Sequence, residues 1–352
     1  MTAQRQIETG GSLDEIYEAY YRRNLTDGLP IIPPTSDRVG AMLKAVDRDP
    51  QEVLGTVPPK WAPASIQKIA INAVMAGCRS DYFPVVLAAV ECVLDESFNL
   101  YGVQATTNPV APCFVVNGPI RIELEMNCGY GVFGEGNRAN STIGRAVRLV
   151  LRNIGGGILG ELDRSTTGWP GRIGLCFGEN EEQNPWEPLS VDRGFPKGTN
   201  TISLFGIGGY MNLEDHHSTT GLGMLQHFSR MLAMGAGGPY TGSPLISLCP
   251  DHIAVLMEDG FDKSSIKKYL FENARIKPAG LTQPVAEEWI RLRNYRNQLS
   301  GSDQPETNME TWIPFATSVE SISVVVAGGA GRHSGLLIPT FTAASVTKEI
   351  RR

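Results

Sequence analysis

Residues 127–160 read NCGYGVFGEGNRANSTIGRAVRLVLRNIGGGILG, a glycine-punctuated loop that feeds an amphipathic helix. Ile143, Ala146, Val147, Val150 and Leu151 recur at the helical period and form one apolar face, while Asn140 or Ser141 supplies a cap. Just upstream, CFVV (113–116) is a short apolar run stopped by Asn-Gly-Pro. Just downstream, residues 173–177 (IGLCF) form a second run. Strand, glycine loop, helix and strand in that order predict an α/β fold: a mixed or mostly parallel sheet, or sheets, with flanking helices.

The pattern continues on both sides. Ser12 with Glu15 forms a capping box for a helix over 12–23, and Pro30, Pro33 and Pro34 then impose an extended arm whose Thr26 and Asp27 could line a site. Residues 62–94 read as two apolar helices joined at GCRSDYFP. In the second half, TISLFGIGGYM (201–211), PLISLC (244–249) and SISVVVAGG (321–329) read as strands, with helices between them. The expected division is an N-terminal helix and proline-rich arm over 1–60, an α/β half with the glycine loop over 61–200, and a second α/β half over 201–352. The halves show a faint parallel of helix, buried strand and glycine turn, without a residue-level period.

The chain has 352 residues, a net charge of −6 and no basic cluster, which excludes a nucleic-acid partner. No apolar run reaches the length of a membrane helix, and residues 1–11 lack an apolar signal core. Six cysteines without a CxxC pair fit reduced thiols, hence a cytoplasmic address.

The candidate chemistry centres on the glycine loop. Asn137, Arg138, Asn140, Ser141 and Thr142 open a helix, where backbone N–H groups and a forked guanidinium suit a carboxylate-sized anion. The spacing GxxGxG matches neither a Walker loop nor a dinucleotide fingerprint. Cys78, beside Arg79 and close to a helix start, and Cys128, near the anion loop, are the two thiols in polar loops, and so the candidate nucleophiles. His216 and His217, in the cluster Glu214-Asp215-His216-His217, supply a base. Glu179 and Asn180 follow a strand, where open sheets place ligand groups, and Arg332 and His333 follow another.

The runs NAVMAGCRSDYFPVVLAA, VNGPI, ANSTIGRAVRL and ENEEQNPWEPL resemble motifs of an uncharacterised bacterial family associated with proteins that carry a UGSC-type thiol or selenol motif. The resemblance covers about the first two thirds of the chain and implies thiol chemistry. The chain has no UGSC or CGSC run itself, so a partner chain would supply such a group.

Together these features lead to an enzyme without cofactor or metal, a homo-oligomer, that hydrolyses or eliminates from a small carboxylate-bearing molecule. Cys78 would be nucleophile or acid, Cys128 its reserve, His216 or His217 the base, and Glu179 a second acid/base group. The anion loop, Asn180, Arg332 and His333 would hold the substrate. A second reading is a metal-dependent hydrolase or lyase using Asp215, His216 and His217. A third is a non-catalytic substrate-binding subunit of a heteromeric enzyme.

Overall fold

The computed structural model describes residues 11–235, 242–299, 305–340 and 344–351. The segment expected to lack a signal core (1–11) lies, except for Gly11, outside the described residues. The chain is α/β. Helices α1 (Leu13–Arg22) and α2 (Ser36–Leu43) lead into a hairpin of β1 (Val53–Val57) and β2 (Ala62–Ser65), so this pairing straddles the expected boundary at 60. Then come α3 (Ile66–Ala76), α4 (Phe83–Val93), α5 (Leu100–Gln104), β3 (Ala111–Asn117), α6 (Ile120–Glu123), α7 (Arg138–Asn153), β4 (Leu175–Gly178) and α8 (Leu189–Asp192). The remainder runs β5 (Thr201–Glu214), α9 (Gly221–Gly235), β6 (Leu245–Leu248), α10 (Pro250–Glu258), α11 (Lys263–Asn273), β7 (Arg275–Ile276), α12 (Gln283–Leu299), β8 (Ile313–Pro314), β9 (Ser323–Val326), β10 (His333–Pro339) and β11 (Val346–Glu349).

Seven of the strands form one mixed sheet in the order β4-β3-β5-β10-β6-β9, with β11 on β5. β3 and β4 are parallel and β3 pairs antiparallel with β5; β6 and β9 are parallel and β6 pairs antiparallel with β10. Each half therefore repeats one topology: strand, helices, parallel strand, antiparallel strand. The long β5 joins the halves, pairing with β3 through its first part and with β10 through its last. Among the described residues, no helix is long and apolar enough to cross a membrane.

Both faces of this sheet are buried. Phe114, Val116, Cys176, Ile202 and Leu204 face α3, α4 and α7 in one outer core, and Ile246, Leu248, Val324, Val326 and Leu336 face α9, α10 and α11 in a second. The opposite face gathers Cys113, Val115, Leu175, Phe177, Phe205, Ile207, Leu245, Val325 and Leu337 into a third core drawn from all six strands of the main path. The sheet thus curls around its own inner side chains, and its two edge strands meet at their tips, where the Asn180 N–H donates to the Val326 carbonyl at 2.7 Å. Strands buried on both faces are near-continuous apolar runs, which explains CFVV and SVVV.

The opening stretch closes that curl. The Asn127 carbonyl accepts from Gly178 N at the tip of β4, and the Cys128 carbonyl accepts from Gly328 N just past β9 at 2.9 Å. Val132 and Phe133 then insert into the inner core. The strap is gripped from α7: the Asn140 side chain accepts from Asn127 N at 3.0 Å and donates to Asn127 O at 2.9 Å. Asn137, not Asn140 or Ser141, is the cap of α7, accepting from Asn140 N at 3.0 Å.

α7 sits directly on the turn before β4. A Cβ at Gly144 would lie 2.6 Å from the carbonyl carbon of Gly174, a backbone contact that cannot yield. Gly144→Ala is expected to lower stability by about 2–3 kcal/mol through overpacking. Gly40→Ala, on α2 with open space around it, is expected to raise it by about 0.4–1 kcal/mol. Urea melts of the two variants, opposite in sign, check this.

Candidate active-site cleft

The groups expected to act together are dispersed. Cys78 is buried, its thiol donates to the Thr142 carbonyl at 3.3 Å, and burial pushes its pKa up to about 12 against the nearby charges of Arg138 and Arg145. Its elbow is polar in sequence, but the thiol is buried against the start of α7, so it remains protonated. Arg138 does not face an open anion site: its Nε and Nη2 both donate to the Gly77 carbonyl, at 3.0 and 2.9 Å. Asn137 donates to the Glu125 carbonyl, Asn140 grips the strap, and Thr142 Oγ1 donates to the Arg138 carbonyl. Of the five loop residues only Ser141 is exposed with its hydroxyl uncommitted to these contacts. The helix start is used by the chain itself.

Glu179 is fully buried, and burial pushes its carboxyl up. It accepts from Asn117 Nδ2 (2.7 Å), Leu189 N (2.8 Å) and Asn184 Nδ2 (2.9 Å), which binds the ends of β3 and β4 to α8. That is a structural clamp rather than an accessible acid. Asn180 serves the edge-to-edge bond described above. Cys128, partly exposed, lies beside Arg121; burial raises its thiol pKa and the guanidinium opposes the rise.

The second half behaves differently. β5 carries a bulge at Gly208, because Ile338 faces Gly209 while Pro339 faces Ile207. The extra residue switches the alternation, so that Tyr210, Asn212 and Glu214 continue the inner face begun by Phe205 and Ile207. His333 pairs directly with Glu214 across the β5–β10 ladder, and His216 follows Glu214 by two residues. One donor atom from each of Glu214, His216 and His333 lies within 4.8 Å of the others. His216 Nε2 is 3.2 Å from Glu214 Oε1, and the two imidazole rings stand edge to face with centroids 4.8 Å apart. His333 Nδ1 is 2.9 Å from the Asn212 amide. As placed, Asn212 Nδ2 faces that nitrogen; an amide turned by 180° would bring Oδ1 there, so that Nδ1–H donates to it and the Nε2 lone pair is left free.

His333 also lies on the rim of a cleft of about 310 Å³ in the mouth of the curled sheet. Tyr130 to Gly134 of the strap form one wall and the loop from Ala327 to Gly331 another, over Tyr210 and Gly335. A Cβ at Gly335 would stand 2.7 Å from the Tyr210 ring, so glycine keeps this floor open. Phe133 packs edge-on against Phe177 (4.9 Å) and Tyr210 (5.6 Å), which makes the interior apolar behind a polar rim.

The remaining candidates support this rim. Burial alone would raise Asp215, but its bonds from His217 N, Ser218 N and Ser218 Oγ hold the carboxyl below the usual range, so it shapes the turn. His217 is exposed beside it, its ring 6.4 Å from that of His216. Arg332 Nη1 donates to the Ser218 carbonyl at 2.8 Å, tying the same turn to β10. Ser334, one residue from His333, points to the other face and bonds His252 Nδ1 at 2.7 Å. Tyr130, Phe133, Tyr210 and Asn212 were not singled out by sequence reasoning; only the bulge, a tertiary feature, aligns the latter two. No protein-family model matches the chain and no curated protein does, and neither comparison bears on the UGSC-like resemblance.

Two outcomes are expected here. Of the six thiols, Cys128 alone should react rapidly with Ellman's reagent at pH 8 in folded protein, the others only after denaturation; mass spectrometry identifies the labelled site. His252 is buried, and burial lowers its pKa below the ordinary 6.5, its bond to the Asp215 carbonyl opposing. The folded state therefore binds fewer protons than the unfolded chain below pH 6.5, and stability falls as pH drops through that window. His252→Gln should flatten that part of the stability–pH curve, measured by urea melts from pH 7.5 to 5 as a difference from the native protein.

Proposed function

We propose that the protein is a metal-dependent hydrolase or lyase acting on a small molecule, with Glu214, His216 and His333 as the metal ligands. The carrying observation is the convergence of these three donors on the rim of the inner cleft, by strand register and a bulge rather than by sequence proximity. Two histidines and one carboxylate leave coordination positions open, as catalytic zinc and non-haem iron sites do. A ligand set of this kind requires donor atoms roughly 3–4 Å apart, a rotamer adjustment within reach of three exposed side chains.

A divalent ion there would lower the pKa of bound water and polarise a carboxylate or carbonyl oxygen. The chain's own residues have the other tasks. Asn212 orients His333, Tyr210 and Phe133 keep the floor dry, and Arg332 with Asp215 fixes the turn that carries His216. The cleft's size limits the reacting part of the substrate to a small molecule. Six unpaired cysteines fit a cytoplasmic address.

A metal-free variant of this reading rests on the His216–Glu214 contact, in which the carboxylate would orient the imidazole as a general base. Protein purified without a histidine tag and analysed by plasma mass spectrometry separates the two. Near-stoichiometric zinc, iron or manganese, reduced at least tenfold in His333→Ala and in Glu214→Ala, is expected. Absence of metal binding in the native protein, with metal added back, would overturn the metal assignment. Turnover unaffected by His216→Ala, on a substrate found by screening, would overturn both.

A further inference from the structure

A second, larger cleft of about 820 Å³ opens on the outer side of the first half, far along α7 from its start. Its lining includes Arg148, Arg152, Arg164 and Arg172, against Asp27 and Asp163 as the acidic groups. Asp27 is already engaged by Arg145, at 2.7 and 2.8 Å. Asp163, 1% exposed, must serve both Arg148 (2.9 Å) and Arg172. Positive charge is thus in clear excess.

The donors are also unmatched. Arg172 is 9% exposed, yet its Nη1 has no partner; Arg152 Nε, Ser165 Oγ and Trp169 Nε1 are likewise buried and unpartnered. All four belong to residues that line the cleft. Buried donors without acceptors are costly, and a folded chain seldom leaves several in one place. The last turn of a helix attracts a cation, which accounts for Arg152 alone; it does not account for Arg172, held by a turn of the chain twenty residues later. Burial and the charge of Arg148 lower the pKa of both Arg152 and Arg172, against the opposing pull of Asp163 on both and of Asp27 and Glu161 on Arg152.

We propose that this cleft is a binding site for a phosphomonoester, its dianionic phosphate held by Arg148, Arg152 and Arg172 with Ser165 and the Trp169 indole N–H. Arg152 Nη2 bonds Asn24, Arg172 Nη2 bonds Asp163 and Arg148 bonds Asp163 and Gln104, so the unpartnered Arg152 Nε and Arg172 Nη1 are the donors left for phosphate oxygens, beside the charge of Arg148. The apolar side chains of Leu159, Pro170 and Ile173 along the same wall suit a small organic remainder. The site shares no residue with the cleft at Glu214, His216 and His333, so it stands whatever happens to the reading of that cleft.

Isothermal titration calorimetry with glycerol 3-phosphate as probe, and with glycerol as the uncharged control, tests it. Saturable binding of glycerol 3-phosphate is expected, absent for glycerol and weakened by added salt. Arg152→Gln should reduce the affinity about tenfold or more, since a charge-assisted bond is removed, and the same titration on His333→Ala protein should be unchanged. Should Arg152→Gln fail to fold, Arg152→Lys, which keeps the charge but loses the Nε–H donor, takes its place with a smaller loss expected. No saturable heat up to about 10 mM probe, or binding indifferent to both Arg152 variants, would overturn the proposal.

Discussion

Two backbone carbonyls, those of Asn127 and Cys128, accept hydrogen bonds from the tips of the two edge strands of one sheet. Edge strands expose unpaired N–H and C=O groups, and a curled sheet has to dispose of them where its edges approach without completing a ladder. Here a short strap from the first half fills the gap, bonds both tips and drops Val132 and Phe133 into the space between them. Without that strap the inner core would be open to water, and the cleft beside it would lose one wall.

The closure also explains how the chemistry is distributed. In each half the helices cover the outer face, so functional groups can reach a cavity only from the inner face near the mouth or from loops on the outside. The β5–β10 pair uses the first route: its bulge brings Tyr210, Asn212 and Glu214 inward in line with His333. The first half has the corresponding topology but fills the equivalent strand ends with the Asn117–Glu179–Arg121 network, whose Arg121 bonds the Glu179 carbonyl at 2.7 Å and Glu182 at 2.9 Å. One half's strand ends are locked, and the other's are open. The long α7 spans both features, with Asn140 on the strap and Arg152 at the outer cleft.

Much of the architecture could be read from the residues, because burial on both faces writes itself as uninterrupted apolar runs and helices as a 3.6-residue stripe. The helix over 138–153, the strands at 113–116 and 323–326 and the capping residue Ser12 are local signals. The site was less accessible. Cys78 looked reactive because polar neighbours flank it in sequence, whereas in space it is buried against the Thr142 carbonyl of α7. The glycine loop looked like an anion cradle because its side chains are polar, whereas their hydrogen bonds turn back onto Gly77, Glu125 and Asn127. His216 and His333 could each be noticed, but their meeting depends on strand register, which a single extra residue at Gly208 sets. The convergence of Arg148 and Arg152 with Arg172 and Trp169 has no local signal.

Asn140 has a bearing on how kin of this chain would be recognised. Its amide uses both ends on the strap, accepting from Asn127 N while donating to the carbonyls of Asn127 and Val132. Aspartate has no donor to offer, and glutamine carries the amide one methylene too far. Chains built on the same closure should therefore preserve an asparagine at this position, three residues after the Asn137 cap. Ancestry in this fold would be written in one amide, outside both clefts.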